Sequence, residues 1–420
     1  MFQTFEEAVA WIENSHRFGE KLDLVRMNLA CDMLGHPEKS FRSIHVAGTN
    51  GKGSTTNFIK NILYSAGYKV GIYTSPYVVS FNERIGINMH YISDDDVVKY
   101  ANILLDLWNE VYETHHDSIT FFEILTLMCF LYFRDNQIDI AVVEVGLGGL
   151  LDATNVIDPL VSVITNISYD HMKQLGNTLE SIALNKLGIV KPNRPLVTTE
   201  DNPQLFGLFE SVCKEKNSAL TFVTSSDITE IKVGVHTEFI YKNTRYKLQL
   251  TGLHQIKNAS LSIATIEVLR QLKEIDLDER NIYQGLWMTQ WPGRFEIFQN
   301  NIVLDGAHNI GGIESLKNSL RLVFPTQTIK CLFCMMKDKE HFKVIGELDT
   351  IVDEFHFTQI DYHRSATAAE LYEESHHEHR FMHEDAEVAF KTLKASLKDN
   401  EVLVVTGSLY FISFIRPFLV

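Results

Sequence analysis

The sequence has little of what marks secreted, membrane-spanning or nucleic-acid-binding proteins. It contains only five cysteines among 420 residues, an odd number at irregular spacing, so no disulfide framework is expected. Lys and Arg number 38 against 54 Asp and Glu, and the net charge of -16 excludes a broad basic surface for nucleic acid. The most apolar stretch, residues 119–133, is shorter than the roughly 20 residues that span a bilayer. No basic start followed by an apolar run opens the chain, so we expect a cytoplasmic protein without membrane partners.

What is present indicates a folded α/β protein of two domains. Hydrophobic residues make up 45% of the chain and charged residues 22%, as in ordinary globular domains, and 420 residues exceed one core of usual size. Residues 220–250 form short alternating runs, which suggest an antiparallel appendage on the first domain. Apolar runs that alternate with helical patterns predict strands near residues 41–47, 69–74, 138–145 and 159–165, and again near 302–305, 328–334, 350–357, 379–382 and 402–406. The runs 138–145 and 159–165 are apolar on both faces, which is typical of buried parallel strands.

The breakers Pro292 and Gly293 place a hinge between the two series of strands. We therefore predict a first domain over residues 1–293. The second domain, residues 294–420, is smaller and has the strand and helix alternation of a doubly wound sheet. Such sheets bind ligands at the carboxyl ends of their strands.

A glycine-rich loop joins the first predicted strand to the first predicted helix. It reads Gly48-Thr-Asn-Gly-Lys-Gly-Ser54. Glycines let backbone N–H groups approach phosphate oxygens, a helix N-terminus favours negative charge, and Lys52 can neutralise phosphates. A turn that only starts a helix is the alternative, but the preceding strand and the hydroxyls that follow favour a nucleoside triphosphate site.

Several strings spread over the chain resemble one enzyme family. They are His45-Val-Ala-Gly-Thr-Asn-Gly-Lys-Gly-Ser54, Tyr73-Thr-Ser-Pro76, Glu83-Arg84-Ile85, Glu144-Val-Gly-Leu-Gly-Gly149, Leu151-Asp-Ala-Thr-Asn155, Thr165-Asn-Ile-Ser-Tyr-Asp-His171, Trp291-Pro-Gly-Arg294, Leu304-Asp-Gly-Ala-His-Asn309 and Thr406-Gly-Ser-Leu-Tyr410. Together they resemble the folylpolyglutamate synthase/dihydrofolate synthase family of the Mur-ligase superfamily. The resemblance implies an α/β fold with a P-loop-type, ATP-binding, Mur-ligase-like N-terminal domain and a smaller Rossmann-like C-terminal domain.

The resemblance also implies the reaction. ATP phosphorylates the carboxylate of a tetrahydrofolate polyglutamate or of dihydropteroate, and L-glutamate attacks the acyl phosphate to give an amide, ADP and phosphate. Magnesium is the implied cofactor, the substrates are small molecules, and a monomer is expected. A Mur-type ligase for another carboxylate and a nucleotide-dependent conformational switch are the alternatives.

The family's functional residues carry over to matching positions of this chain. The implied ATP contacts are Asn50, Gly51, Lys52, Gly53, Ser54, Asn258, Arg294 and Asp305. The implied magnesium ligands are Ser75, Glu144, His171 and Lys186, the last as a carbamate, and the implied catalytic residues are Lys52, Lys186 and His308. The implied substrate contacts are Thr120, Phe121, Phe122, Glu123, Leu151, Asp152, Ala153 and Ser408.

Some of these residues also have a purely structural interpretation. A helical lysine such as Lys186 is ordinarily surface charge, one of the two Phe side chains is expected in the core, and Ser408 could be a simple helix cap. Leu150 stands where the family usually has Arg, and Tyr77 where it usually has His. Both departures lie close to the implied acceptor site.

Overall fold

The protein is described by a computed structural model that covers residues 1–16, 23–234, 236–299 and 301–419. The chain forms two compact units. The first holds Met1–Asp227 and Asn258–Leu286, and the second holds Ile228–Lys257 and Trp287–Val420. Each unit is built on its own sheet, so the prediction of an α/β fold is confirmed.

An eight-stranded sheet forms the middle of the first unit. Its strands lie in the order β4-β3-β2-β5-β1-β6-β7-β8. All neighbours pair in parallel except β2 with β3 and β3 with β4. The strands are β1 (Arg42–Ala47), β2 (Val70–Tyr73), β3 (Ile85–Ile87), β4 (His90–Tyr91), β5 (Ile140–Glu144), β6 (Val161–Ile164), β7 (Leu196–Thr198) and β8 (Leu220–Phe222). The central strands β2, β5 and β6 are buried along their whole length, which explains why their sequences are apolar on both faces.

Helices surround this sheet. They are α1 (Phe5–Asn14), α2 (Val25–Met33), α3 (Lys52–Ser65), α4 (Asp94–His115), α5 (Phe121–Asp135), α6 (Met172–Leu175), α7 (Leu179–Leu187) and α8 (Pro203–Glu215), followed by α9 (Leu253–Gln271) and α10 (Glu279–Met288). The side chain of Ser93 caps α4 by accepting from Asp96 N. Within the described residues, no helix is both long enough and apolar enough to cross a membrane.

The prediction for residues 220–250 was partly wrong. A three-stranded antiparallel sheet is present, built from β9 (Ile228–Val233), β10 (Thr237–Tyr241) and β11 (Thr244–Leu248). It belongs to the second unit, where α11 (Ile310–Val323) packs against β9. Leu220–Phe222 instead adds to the edge of the first sheet as β8, parallel to β7. Three residues show no alternation that could reveal the partner strand.

The main sheet of the second unit has six strands in the order β12-β13-β17-β14-β15-β16, and only β12 runs antiparallel. They are β12 (Glu296–Phe298), β13 (Ile302–Leu304), β14 (Thr328–Phe333), β15 (Glu354–Phe357), β16 (Arg380–Met382) and β17 (Glu401–Thr406). The remaining helices are α12 (His341–Leu348), α13 (Ala368–Glu374), α14 (Ala386–Ser396) and α15 (Leu409–Ile415). The five strands predicted for this part of the chain are confirmed, and β12 was missed.

Candidate active site

Four neighbouring parallel strands of the first unit bring the predicted phosphate and metal residues to one edge of the sheet. The order β2-β5-β1-β6 is continuous, and each of the three pairs is parallel. Ser75 follows β2, Glu144 ends β5, the phosphate loop follows β1, and the segment that reaches His171 follows β6. Parallel strands end at the same edge, so residues far apart in sequence share one site.

The phosphate loop holds its lysine over its own backbone. Lys52 Nζ donates to the carbonyl oxygens of Gly48 at 3.1 Å and Thr49 at 3.2 Å. Gly51 precedes α3 with a φ of 86°, and a Cβ there would lie 2.3 Å from Asn258 Oδ1, so both the conformation and the contact require glycine. The predicted ATP residue Asn258 therefore lies directly against this loop.

Lys186 is buried, contrary to the ordinary expectation for a helical lysine. Its side chain extends from α7, and Nζ donates to the carbonyl oxygen of Gly48 at 2.9 Å. Burial, together with the charge of Lys52, lowers the pKa of Lys186 to about 7. Near neutral pH much of this amine is unprotonated and nucleophilic, which is the state that reacts with carbon dioxide.

Two of the four residues predicted to hold magnesium, Ser75 and Glu144, offer oxygen atoms. Glu144 is 3% exposed, and Ser75 supplies a hydroxyl at the end of the neighbouring strand. His171 precedes α6 with a φ of 50° and is half exposed beside Asp170. Carboxylate and hydroxyl oxygens fit magnesium, whereas an imidazole is an unusual ligand for it. Among the described residues, no group of three His, Cys, Asp or Glu side chains is arranged to hold a metal ion.

Two of the residues predicted to contact substrate cap the N-terminus of α5. Thr120 and Glu123 form a capping box, in which Glu123 Oε2 accepts from the Thr120 N–H and hydroxyl at 2.8 Å each. Arg26 of α2 binds the same carboxylate, with Nε 3.0 Å from Oε2 and Nη2 3.1 Å from Oε1. These bonds use most of the acceptor capacity of Glu123, so its contacts are those of a helix cap.

The two phenylalanines of the same segment have different neighbours. The ring of Phe122 packs against Tyr73, with centroids 5.8 Å apart, and leaves no room for a Cβ at Gly146. The ring of Phe121 lies 5.6 Å from the guanidinium carbon of Arg84. Both rings are half-buried, so each presents part of its surface beside the sheet edge.

The predicted contacts Leu151, Asp152 and Ala153 follow the paired glycines after β5. Leu151 is half exposed, while Asp152 and Ala153 are buried. Asp152 accepts from Leu147 N at 2.8 Å, from Thr154 N at 3.0 Å and from the Thr154 hydroxyl. Burial raises the pKa of Asp152, and these donors oppose the rise. This carboxylate therefore shapes the loop on which Leu151 is exposed.

The second unit gathers its predicted residues at the ends of β13 and β17, which are parallel neighbours. Asp305 accepts from Phe295 N at 2.9 Å and Ala307 N at 2.8 Å; burial raises its pKa, and the charge of Arg294 opposes this. His308 Nδ1 lies 2.9 Å from the Gly306 carbonyl oxygen.

Ser408 follows β17 and is buried. Its hydroxyl caps α15 by accepting from Tyr410 N at 3.1 Å. This contact is that of a simple helix cap, which was the alternative interpretation of Ser408. A role with substrate stays a prediction.

Arg84 is a candidate residue to which sequence reasoning gave no role. It is 7% exposed, and within the described part of the chain its side chain makes no hydrogen bond or ion pair. Its guanidinium carbon instead lies 5.0, 5.9 and 5.6 Å from the ring centroids of Tyr77, Phe81 and Phe121. The signal was the motif Glu83-Arg84-Ile85, but a single sequence does not show that its arginine is buried without a carboxylate.

Comparisons with known proteins identify the family of the chain. The family models of the Mur ligase middle domain and of the Mur ligase, glutamate ligase domain match residues 46–266 and 293–409. The chain is 38% identical to the dihydrofolate synthase/folylpolyglutamate synthase of Bacillus subtilis, over 99% of both chains.

Two solved structures are similar over nearly the whole chain. Mycobacterium tuberculosis folylpolyglutamate synthase complexed with ADP superimposes with a TM-score of 0.90 at 27% identity, covering 99% of this chain and 98% of that one. Escherichia coli FolC in complex with DHPP and ADP superimposes with a TM-score of 0.87 at 27% identity, covering 99% and 97%. The chain belongs to the dihydrofolate synthase/folylpolyglutamate synthase family of Mur ligases.

Proposed function

We propose that this protein joins L-glutamate to the carboxylate of reduced folates, and to that of dihydropteroate, at the expense of ATP. Membership of the family makes the chain an ATP-dependent ligase. The γ-phosphoryl group passes to a carboxylate oxygen of the acceptor with release of ADP. The glutamate nitrogen then attacks the acyl carbon, phosphate leaves, and an amide remains. Both acceptors are included because the B. subtilis relative is named for both activities.

One observation carries the proposal: the phosphate loop, Lys52, buried Lys186 and Glu144 meet at one edge of four parallel strands. Phosphoryl transfer depends mainly on positioning and on neutralising charge. We assign to Asn50, Gly51, Lys52, Gly53, Ser54 and Asn258 the binding of ATP. The N–H groups at the start of α3 point to the same ligand.

We assign the magnesium site to Ser75, Glu144, His171 and Lys186. Magnesium held there would neutralise phosphate oxygens of the nucleotide. The lowered pKa of Lys186 supports its conversion to a carbamate, which would add two oxygens to the donor set. We keep residues 294–420 as the proposed second domain, and within it Arg294 and Asp305 are assigned to the nucleotide. His308 and Ser408 are assigned to glutamate or the acyl phosphate.

Product masses test the proposal. The protein is incubated with ATP, glutamate and magnesium together with dihydropteroate, tetrahydrofolate or its polyglutamates, one acceptor at a time. A product heavier than its acceptor by one glutamate residue, with stoichiometric ADP, is expected. Hydrolysis of ATP that needs no glutamate and forms no amide would instead support a conformational switch.

We also assign Arg84 to the acceptor. An arginine buried among three rings without a carboxylate partner is suited to a carboxylate of the substrate, because charge-assisted hydrogen bonds strengthen where water is excluded. The predicted acceptor residue Phe121 is one of these rings. Tyr77, one of the two departures from the family pattern, is another.

Replacing Arg84 with methionine keeps the apolar stem and removes the charge. We expect the KM for the acceptor to rise about tenfold or more, since a charge-assisted hydrogen bond is lost, while the KM for ATP stays unchanged. Steady-state kinetics with each substrate varied in turn measures this. Arg194→Met is the control, because Arg194 pairs with Asp158 at the surface. An unchanged acceptor KM in Arg84→Met would remove Arg84 from the site.

A further inference from the structure

The segment after β6 is bonded to the phosphate loop along its length. Thr49 N donates to the Asn166 carbonyl oxygen and Asn50 N to Asn166 Oδ1, both at 2.9 Å. The Thr165 hydroxyl donates to the Asn50 carbonyl oxygen at 2.6 Å. Ser168 N donates to the Thr49 hydroxyl at 3.0 Å, and that hydroxyl lies 3.1 Å from the Ser168 carbonyl oxygen. Backbone and side chains of both partners take part.

The contact is also close in space. Gly48 has a φ of 144°, and a Cβ there would lie 1.8 Å from Thr165 Oγ1. The loop N–H groups of Thr49 and Asn50 are already bonded to Asn166 and do not point freely to a ligand. The N–H groups of Lys52, Gly53 and Ser54 begin α3 and have no acceptor among the described residues, so they remain for phosphate oxygens.

We propose that Thr165 and Asn166 are positioning residues that hold the phosphate loop in its nucleotide-binding form before ATP arrives. The inference rests on the proposed function and assigns residues whose bonds go to the phosphate loop. Without these bonds the loop has more conformations in the free protein, and ATP binding must restrict them. The loss then falls on nucleotide affinity and leaves acceptor affinity unchanged.

The segment itself is fixed from its other side. Ile167 N donates to Glu200 Oε2 at 2.6 Å, and the Thr199 hydroxyl donates to the Thr165 carbonyl oxygen. Both partners follow β7. Removing the Thr165 hydroxyl therefore takes away one of the bonds that hold the phosphate loop, while the segment keeps its own attachment. The effect of such a variant is specific to the loop.

The test compares Thr165→Val, which keeps the shape and removes the hydroxyl, with Thr165→Ser, which keeps the hydroxyl. Asn166→Ala removes the side-chain acceptor independently. Calorimetric titration with ATP, in the absence of acceptor and glutamate, gives the Kd. We expect Thr165→Val and Asn166→Ala to raise the Kd about tenfold, as for a lost hydrogen bond with a stranded partner, and Thr165→Ser to stay within about twofold. The KM for the acceptor should not change in any of them.

Thr265→Val is the matched control. Thr265 is as buried as Thr165, but its hydroxyl bonds to the Leu261 carbonyl oxygen inside α9, at 2.8 Å, and not to the phosphate loop. Wild-type ATP affinity in Thr165→Val and Asn166→Ala would overturn the inference, as would an equal loss for ATP and acceptor. Because the Kd is measured without ligation, a protein that binds ATP but forms no amide would contradict the proposed function and still test the loop.

Discussion

Replacing Lys52 with alanine is expected to lower the kcat of ligation by about a thousandfold, because the group that neutralises charge on the transferred phosphoryl is removed where water is scarce. Among the described residues, Lys52 Nζ bonds to two loop carbonyl oxygens, those of Gly48 and Thr49. The free energy of unfolding should therefore change little. Amide formation and ADP release measure the first effect, and urea unfolding measures the second.

Lys214→Ala is the control for Lys52→Ala, because Lys214 is an exposed lysine of α8 in the same unit. It should ligate at the wild-type rate. Normal turnover by Lys52→Ala would contradict the assignment of Lys52. A large fall in its unfolding free energy would mean that Lys52 supports the fold as well.

The sequence predicted the sheet edge of the first unit because that edge depends on local signals. Each of its strands is an apolar run, and each run is followed by a distinctive turn or polar residue. The loop that leads to Lys52 contains glycines because its backbone needs conformations that other residues avoid. Gly51, for example, has a positive φ. The ends of the strands then meet by the geometry of parallel pairing, which needs no detail of packing.

The features that could not be predicted from the sequence depend on contacts between residues that are distant in the chain. Lys186 looks like surface charge on its helix, yet it is buried and bonded to the carbonyl oxygen of Gly48 in the phosphate loop. Arg84 has an acidic neighbour in sequence, Glu83, yet that carboxylate binds the backbone N–H groups of Val78 and Val79. The capping box at Thr120 was readable from the Thr-x-x-Glu pattern, whereas the binding of Arg26 to the same carboxylate was not.

The bonds that Thr165, Asn166 and Ser168 make to the phosphate loop also join residues that are distant in sequence. In the motif Thr165–His171, only His171 was assigned a role from the sequence. The bonds to the phosphate loop come instead from Thr165, Asn166 and Ser168. A backbone carbonyl that serves as acceptor, like that of Asn166, leaves no trace in the identity of its residue. Residues of this kind are found only when backbone hydrogen bonds are followed through the structure.

Lys186 should show opposite effects on activity and stability when it is replaced with methionine. The folded pKa is about 7 and the ordinary value is 10.5, so folding disfavours the protonated amine. Burial of Lys186 therefore lowers the free energy of unfolding by its full amount below pH about 7. This loss disappears as the pH rises past 10.5, the ordinary pKa of lysine. In buffer free of carbon dioxide, Lys186→Met should therefore exceed the wild type in free energy of unfolding. The gain is on the order of a few kcal/mol at neutral pH and shrinks toward pH 10.

The same variant should lose at least about a hundredfold in kcat, because neither an amine nor a carbamate remains beside the loop. Wild-type activity should rise when bicarbonate is restored to depleted enzyme, and Lys186→Met should not respond. Lys60→Met is the matched control: Lys60 is also buried and its pKa is lowered to about 8, but its Nζ bonds to the Asn88 carbonyl oxygen. It should gain stability over a similar range of pH and keep its activity and its response to bicarbonate. Activity that is independent of bicarbonate in the wild type would limit Lys186 to a role as a buried amine beside Gly48.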